Sequence, residues 1–195
     1  MFKFKFKFKA NYNFVFLLKI EKHRAMIKKE VLDAINAQIN AESYSAYLYL
    51  SMAAYFEDMG LSGFANWMKV QYQEEAAHAL KFFNYLTERN GKVVLKAIEQ
   101  VPVDFGGIVD VFEKTQLHEA HVTDLINNLM NVAMAASDHA SQSFLKWFID
   151  EQVEEEANVQ KILDTLKLID GQGNGIFMMD REMGQRVFVD PNAAV

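Results

Sequence analysis

From Met26 onward the apolar residues recur at three- and four-residue steps, and they do so in four long stretches divided by short punctuation. In "MIKKEVLDAINAQINAESYSAYLYLSMAAYFEDMG" the residues Ile27, Val31, Ile35 and Ile39 lead into a Tyr/Leu stripe, and Gly60 ends the run. A second helical stretch spans about Ser62 to Arg89 and stops at Asn90-Gly91. Residues 92–105, with Pro102, lack the period and read as a long connection. A third stretch covers about Gly107 to Ala135, and "SDH" at 137–139 caps a fourth, from about Asp138 to Ile169. Glycines at 171, 173 and 175 read as a hinge before a short fifth helix in "IFMMDREMG". Amphipathic helices of roughly 25–30 residues must bury their stripes against one another. The short links make the first and second helices, and the third and fourth, antiparallel neighbours. The middle connection is long enough to run the length of the bundle. The predicted fold class is all-α: a four-helix bundle with a long crossover between helices 2 and 3 and a short fifth helix.

Residues 1–25, "MFKFKFKFKANYNFVFLLKIEKHRA", break that pattern. They begin with period two, and "FVFLL" is too short for the apolar core of a secretory signal. No small-residue cleavage site follows it. The stretch is read as extraneous to the fold, a tag or a misassigned start, which leaves 26–195 as the domain. It also hides a charge asymmetry. Seven basic residues and one acid give it +6, so the remainder carries −12 against the chain's −6. An acidic body argues against nucleic acid and for the handling of cations. The chain has no cysteine, hence no disulfide framework and no thiolate metal site, which fits a cytoplasmic setting. No apolar run approaches a membrane span.

Each of the four helices places an acid in an apolar context. Glu42 shares a face with Ile35, Ile39 and Ala46. "QYQEEAAHAL" puts Glu75 and His78 three residues apart, on a face read as shared with Tyr72, Phe82 and Tyr85. Glu119 lies in "QLHEAHVTDL", and "FLKWFIDEQVEEE" offers Glu151, Glu154, Glu155 and Glu156. A lone buried carboxylate is unstable as an anion and takes up a proton. Four acids converging from four helices call for cations between them. One glutamate per helix with a Glu-x-x-His is the carboxylate di-metal arrangement of crossover bundles. "HEAH" at 118–121 is not a zinc-protease motif, because its histidines are three rather than four apart. His118 and His121 are read as surface or interface residues, and His139 as part of a helix start.

These stretches resemble the ferritin family, and within it the non-haem ferritins of bacteria and archaea, over about residues 26–186. The carrying motifs are "NAESYSAYLYLSMA", "QYQEEAAHALKFFNYL", "LKWFIDEQVEEE" and "IFMMDREMG". The resemblance implies that Glu42 and His78 hold a first iron, Glu75 bridges, and Glu119 and Glu155 hold a second. It sets Tyr49 and Gln152 beside the centre and assigns a third iron to Glu74, Glu151 and Glu154 with Glu155. It also implies oxidation of Fe2+ by O2 or H2O2 at a di-iron ferroxidase centre, and storage of Fe3+ as an oxyhydroxide mineral within a homo-oligomeric shell of 24 subunits. Bacterioferritins carry a second Glu-x-x-His; here Asn158 follows Glu155, and Val122 follows Glu119, at the third position. No haem is expected, with Met52 as the residue that would carry one. Rubrerythrin-type peroxidases, the other alternative, add a cysteine-ligated iron for which this chain has no cysteine.

Overall fold

The structure, a computed structural model, describes residues 27–193. The extension read at 1–25 and the start at Met26 lie outside the described residues. Among the described residues all regular structure is helical: α1 (Lys29–Asp58), α2 (Ser62–Glu88), α3 (Ile108–Ala135), α4 (His139–Ile169) and α5 (Gly173–Met183). The expected all-α class and the four-plus-one count of helices hold.

The punctuation works through backbone geometry. Gly60 and Asn90 take positive φ of 73° and 56°, which closes α1 and α2 against their own last turns. The amides of Leu61 and Gly91 then return to Phe56 O (3.0 Å) and Leu86 O (2.7 Å). Asp138 caps α4 by accepting from Ser141 N at 3.2 Å. Arg89, at the end of α2, donates to the same carboxylate at 3.1 Å and joins two helix ends. The hinge differs from the expectation. The chain reverses at Asp170 and Gly171, while Gly173 and Gly175 lie inside α5. Gly175 is there for close approach: a Cβ on it would sit 2.7 Å from the Ile169 side chain.

The crossover lies along α1 from end to end. Val94 N donates to Asn36 Oδ1 (2.7 Å), Ser51 Oγ to Pro102 O (2.6 Å) and Tyr55 OH to Gly106 O (2.6 Å). The chain is thereby carried from the start of α1 to its end, and α3 runs antiparallel to α1. The side-chain pairs show it: Phe56 meets Phe112, Met52 meets Thr115 and Tyr49 meets Glu119. On the other side α4 packs antiparallel to both α2 and α3. The short α5 folds back on the start of α2, where Asp180 Oδ1 accepts from Gly63 N (2.8 Å) and Phe64 N (3.0 Å). It caps a helix whose own N-cap residue, Leu61, offers no acceptor.

The core divides in two. One apolar cluster, with Phe56, Phe64, Met68 and Phe112, fills the end near α5. The other, with Ile35, Phe82, Ile126 and Phe148, fills the opposite end. Each fully buried side chain of this size contributes ~1.5–3 kcal/mol, so the two ends together hold the helices while the band between them carries polar groups. Within α2 the buried stripe is Gln71, Glu75, His78 and Phe82, and Tyr85 is half-buried. Tyr72, expected on that face, is exposed. At 3.6 residues per turn Tyr72 and His78 fall on opposite flanks of Glu75, and the core takes the His78 flank.

Candidate metal centre

The polar band draws one residue or more from every long helix. Glu42 comes from α1, Glu75 and His78 from α2, Glu119 from α3, and Glu155 from α4, and all five are between 0% and 4% exposed. Tyr49 and Gln152 are buried beside them. The fourth helix offered several acids, and burial separates them. Glu155 points inward, Glu151 and Glu156 are half-buried, and Glu154 is exposed.

Glu42, Glu75 and His78 form the tight part of the cluster, with one ligand-type atom from each lying within 4.8 Å of the others. The hydrogen-bond inventory there is incomplete in a specific way. Gln38 Nε2 donates to Glu42 Oε1 at 2.9 Å, but Glu42 Oε2, Glu75 Oε2 and His78 Nε2 have no partner. Leaving a buried polar atom unmet costs about 1–3 kcal/mol, and three such atoms belong to this one cluster, in which His78 Nδ1 stands 3.7 Å from Glu75 Oε2. All three can act as acceptors. A cation held by one ligand atom from each residue meets the demand of the cluster, which the surrounding apolar wall does not. The His78 ring is held edge-on by Trp147 and Phe148, at 5.4 and 5.9 Å between centroids.

Glu119 and Glu155 lie on the other side and are better provided for. Tyr49 OH donates to Glu119 Oε1, and Gln152 Nε2 to Glu119 Oε2 at 3.2 Å. Gln71 Nε2 donates to Glu155 Oε2 at 3.0 Å. Neither acid belongs to the tight group of three. Both are neutral-partnered carboxylates with lone pairs to spare. Of the supporting glutamines only Gln152 was expected; Gln38 and Gln71 were not, although each stands one turn before a site acid. A polar residue four positions from a buried glutamate was the available signal.

Electrostatics makes the metal-free cluster a store of protons. Burial, then the charge of Glu75, raises the pKa of Glu42 well above the carboxylate range. Burial and Glu119 do the same to Glu75. Burial and Glu155 push Glu119 up to about 7. The Tyr49 phenol is also raised, by burial and then by Glu119. A cation lowers these pKa values again, because it replaces the like-charge repulsion with attraction. Oxygen-rich ligation with a single imidazole suits iron or manganese better than copper.

Outside this core, Glu74 is half-buried and its pKa is pushed up to about 7, chiefly by burial, with Arg186 opposing. Burial also raises Glu151. The histidines of "HEAH" separate. His121 is exposed, and His118 is half-buried. Its Nε2 lies 2.8 Å from Ser45 Oγ, its ring meets Tyr49 edge-on, and burial pulls its pKa down to about 4. The crossing of α1 and α3 half covers it, a contact that no local pattern announces. His139 is the exposed first residue of α4. Met52 is buried in the core, with its sulfur 3.6 Å from Thr115 Oγ1.

Residues 32–169 match the family described as ferritin-like domain. A bacterial non-heme ferritin of Bacteroides fragilis is 46% identical over 161 residues, which cover 83% of this chain and all of that protein. One from Staphylococcus saprophyticus is 38% identical over 163 residues, 84% of this chain and 98% of the relative. Among solved structures, an engineered closed form of the Archaeoglobus fulgidus ferritin superposes with a TM-score of 0.83 at 45% identity, over 84% of this chain and 99% of that one. The open-pore ferritin of the same archaeon gives 0.81 at 45% identity, over 83% and 98%. A crossover bundle with an acid from every helix, a Glu-x-x-His and this degree of likeness along nearly the whole length of its relatives lead to one conclusion: the chain belongs to the ferritin family.

Proposed function

We propose that the chain is a non-haem ferritin subunit that oxidises Fe2+ at a di-iron centre and stores the Fe3+ as an oxyhydroxide mineral inside a shell of 24 copies. The observation that carries this reading is the buried cluster of Glu42, Glu75 and His78, one ligand atom of each within 4.8 Å of the others, in which Glu42 Oε2, Glu75 Oε2 and His78 Nε2 lack hydrogen-bond partners. Glu42 and His78 take the first Fe2+, Glu75 bridges, and Glu119 with Glu155 takes the second. Tyr49 and Gln152 orient Glu119 by donating to its two oxygens. Incoming Fe2+ displaces the protons that the acids hold in its absence. Two Fe2+ then deliver one electron each to O2, which leaves with two protons as H2O2; with H2O2 as oxidant the same two electrons yield water. The second position has no imidazole. Val122 is packed in the apolar cluster, and Asn158 is half-buried away from the centre beside Trp67 and Arg186. An all-carboxylate second position binds more weakly and lets Fe3+ leave toward the outer acids Glu74, Glu151 and Glu154, as storage requires.

This reading is favoured over a bacterioferritin, because the second histidine is lacking and Met52 is enclosed in the core. It is favoured over a rubrerythrin, because the chain has no cysteine. No described helix is long and apolar enough to cross a membrane. The acidic charge outside residues 1–25 and the absence of cysteine support a cytoplasmic role in cation handling without nucleic acid. The test is anaerobic Fe2+ binding, followed by admission of air while absorbance near 300 nm and particle mass are recorded. Two Fe2+ per subunit, rapid oxidation and a 24-subunit mass are expected. Iron that oxidises no faster than in buffer rules the reading out.

A further inference from the structure

The chain does not end at α5. Beyond Met183 it turns back and lies along the outside of α2 as a strap. Asn66 Nδ2 donates to Met183 O (3.2 Å) and Arg186 O (3.0 Å). Further on, Asn192 Nδ2 donates to Ala77 O (2.9 Å), and Lys81 Nζ reaches Pro191 O (3.5 Å). The near end of the strap is fixed firmly. A Cβ on Gly63 would fall 1.6 Å from the backbone oxygen of Asp180, so glycine there lets α5 seat against α2. The strap itself is held differently. Val187 and Val189 are 76% and 79% exposed, so polar anchors rather than apolar burial keep it in place. A segment with so little buried area opens at low cost.

Its principal anchor is Arg186. The guanidinium lies over the Trp67 ring, 4.7 Å from the centroid, and donates to Trp67 O at 3.4 Å. One nitrogen donates to Glu74 Oε2 at 2.6 Å and the other to Gln71 Oε1. Gln71 in turn presents its amide nitrogen to Glu155. The positive charge therefore sits on Glu74, which stands within electrostatic reach of Glu151 and Glu155, and it touches the inner centre through one glutamine.

We propose that Arg186 is a resident counter-ion of the outer acids: the strap keeps its guanidinium on Glu74, where a third metal cation would bind, and the metal is accepted only as the strap yields. The proposal rests on the outer-acid reading given above and adds what regulates it. A guanidinium and a metal cation compete for the same carboxylate. A doubly or triply charged ion displaces it, and a singly charged one does not. The empty position is thus kept neutralised while iron is scarce, and Gln71 keeps its amide turned toward Glu155.

The test uses Zn2+, a redox-inert probe, titrated calorimetrically into the metal-free full-length protein. Four chains are compared: the parent, Arg186→Gln, Arg186→Lys and the double variant Arg186→Gln/Glu74→Gln. The third binding step should tighten about fivefold in Arg186→Gln, the fold-change that ~1 kcal/mol of a partly exposed ion pair represents. Arg186→Lys should stay near the parent, and the double variant should lose the step. The two inner steps should be unchanged or slightly weaker in Arg186→Gln, since Gln71 loses a donor. A strap that only braces the fold gives weaker binding throughout, and that result overturns the proposal, as does a third step that is equal or absent in parent and variant alike. Absence of the inner steps in every chain overturns the metal-centre reading, and the strap proposal with it.

Discussion

Replacing Glu75 by Gln keeps the shape of the side chain and removes its ability to ionise. In the metal-free protein Glu75 is 1% exposed, its Oε2 has no partner, and burial with the charge of Glu119 raises its pKa well above the usual 4.5. Burial and the Glu119 charge favour the protonated form of this carboxyl in the folded chain, whereas the unfolded chain releases the proton readily. That difference in proton binding weighs against folding as pH rises above the ordinary carboxylate range. The amide bears no such cost, and its two N–H groups face a cluster rich in acceptors. Metal-free Glu75→Gln should therefore be more stable than the parent, by ~1 kcal/mol. That corresponds to roughly 2–4 °C in Tm per kcal/mol for a chain of this size. The sign has a pH signature. A raised folded-state pKa favours folding at low pH and loses that advantage as pH rises, so most of the variant's lead should vanish between pH 7 and pH 5. Paired melts at the two pH values, with and without metal, measure it. Added metal should stabilise the parent more than the variant, and rapid Fe2+ oxidation should collapse with the bridging ligand gone. A metal-free variant clearly less stable than the parent at pH 7, or a lead that persists unchanged at pH 5, would refute the reasoning and make Glu75 a structural hydrogen-bond partner.

His78→Ala should abolish the tighter of two unequal steps in an anaerobic Fe2+ titration, about tenfold or more in affinity; equal steps in the parent, or loss of the weaker one, contradict the assignment. The metal-free parent should lose stability as pH climbs from about 5 to 8, because Glu119 and Glu74, with folded-state pKa values of about 7, must then surrender protons that the unfolded chain has already released. The metal-loaded form should be flatter over the same range in denaturant titrations. A chain beginning at Met26 should assemble and oxidise Fe2+ at the full-length rate, since every proposed ligand lies beyond it; failure to assemble would show that the basic, phenylalanine-rich stretch belongs to the fold.

What was legible in the sequence was local. Apolar residues at three- and four-residue steps define α1 to α4, because a helix repeats its environment every turn. Gly60, Asn90-Gly91 and Asp138 mark the ends, because positive φ and a capping oxygen are properties of single residues. Glu42, Glu75, His78 and Glu119 stood out for a related reason: an acid on an apolar stripe is visible one turn away. The family resemblance chose Glu155 among its neighbours, where composition left four acids open. Tertiary structure alone settled the rest. It set His118 against Ser45 and Tyr49, 73 and 69 positions away in the chain, and it left Tyr72 exposed on the far flank of Glu75. It gathered Glu42, Glu75 and His78 so that one ligand atom of each lies within 4.8 Å of the others. It brought Arg186 to Glu74 across 112 positions, through a strap with neither period nor apolar stripe. Helical periodicity reports which face turns inward. It says nothing of what the other helices and the returning tail present to that face, and the chemistry of a site shared by four helices is decided there.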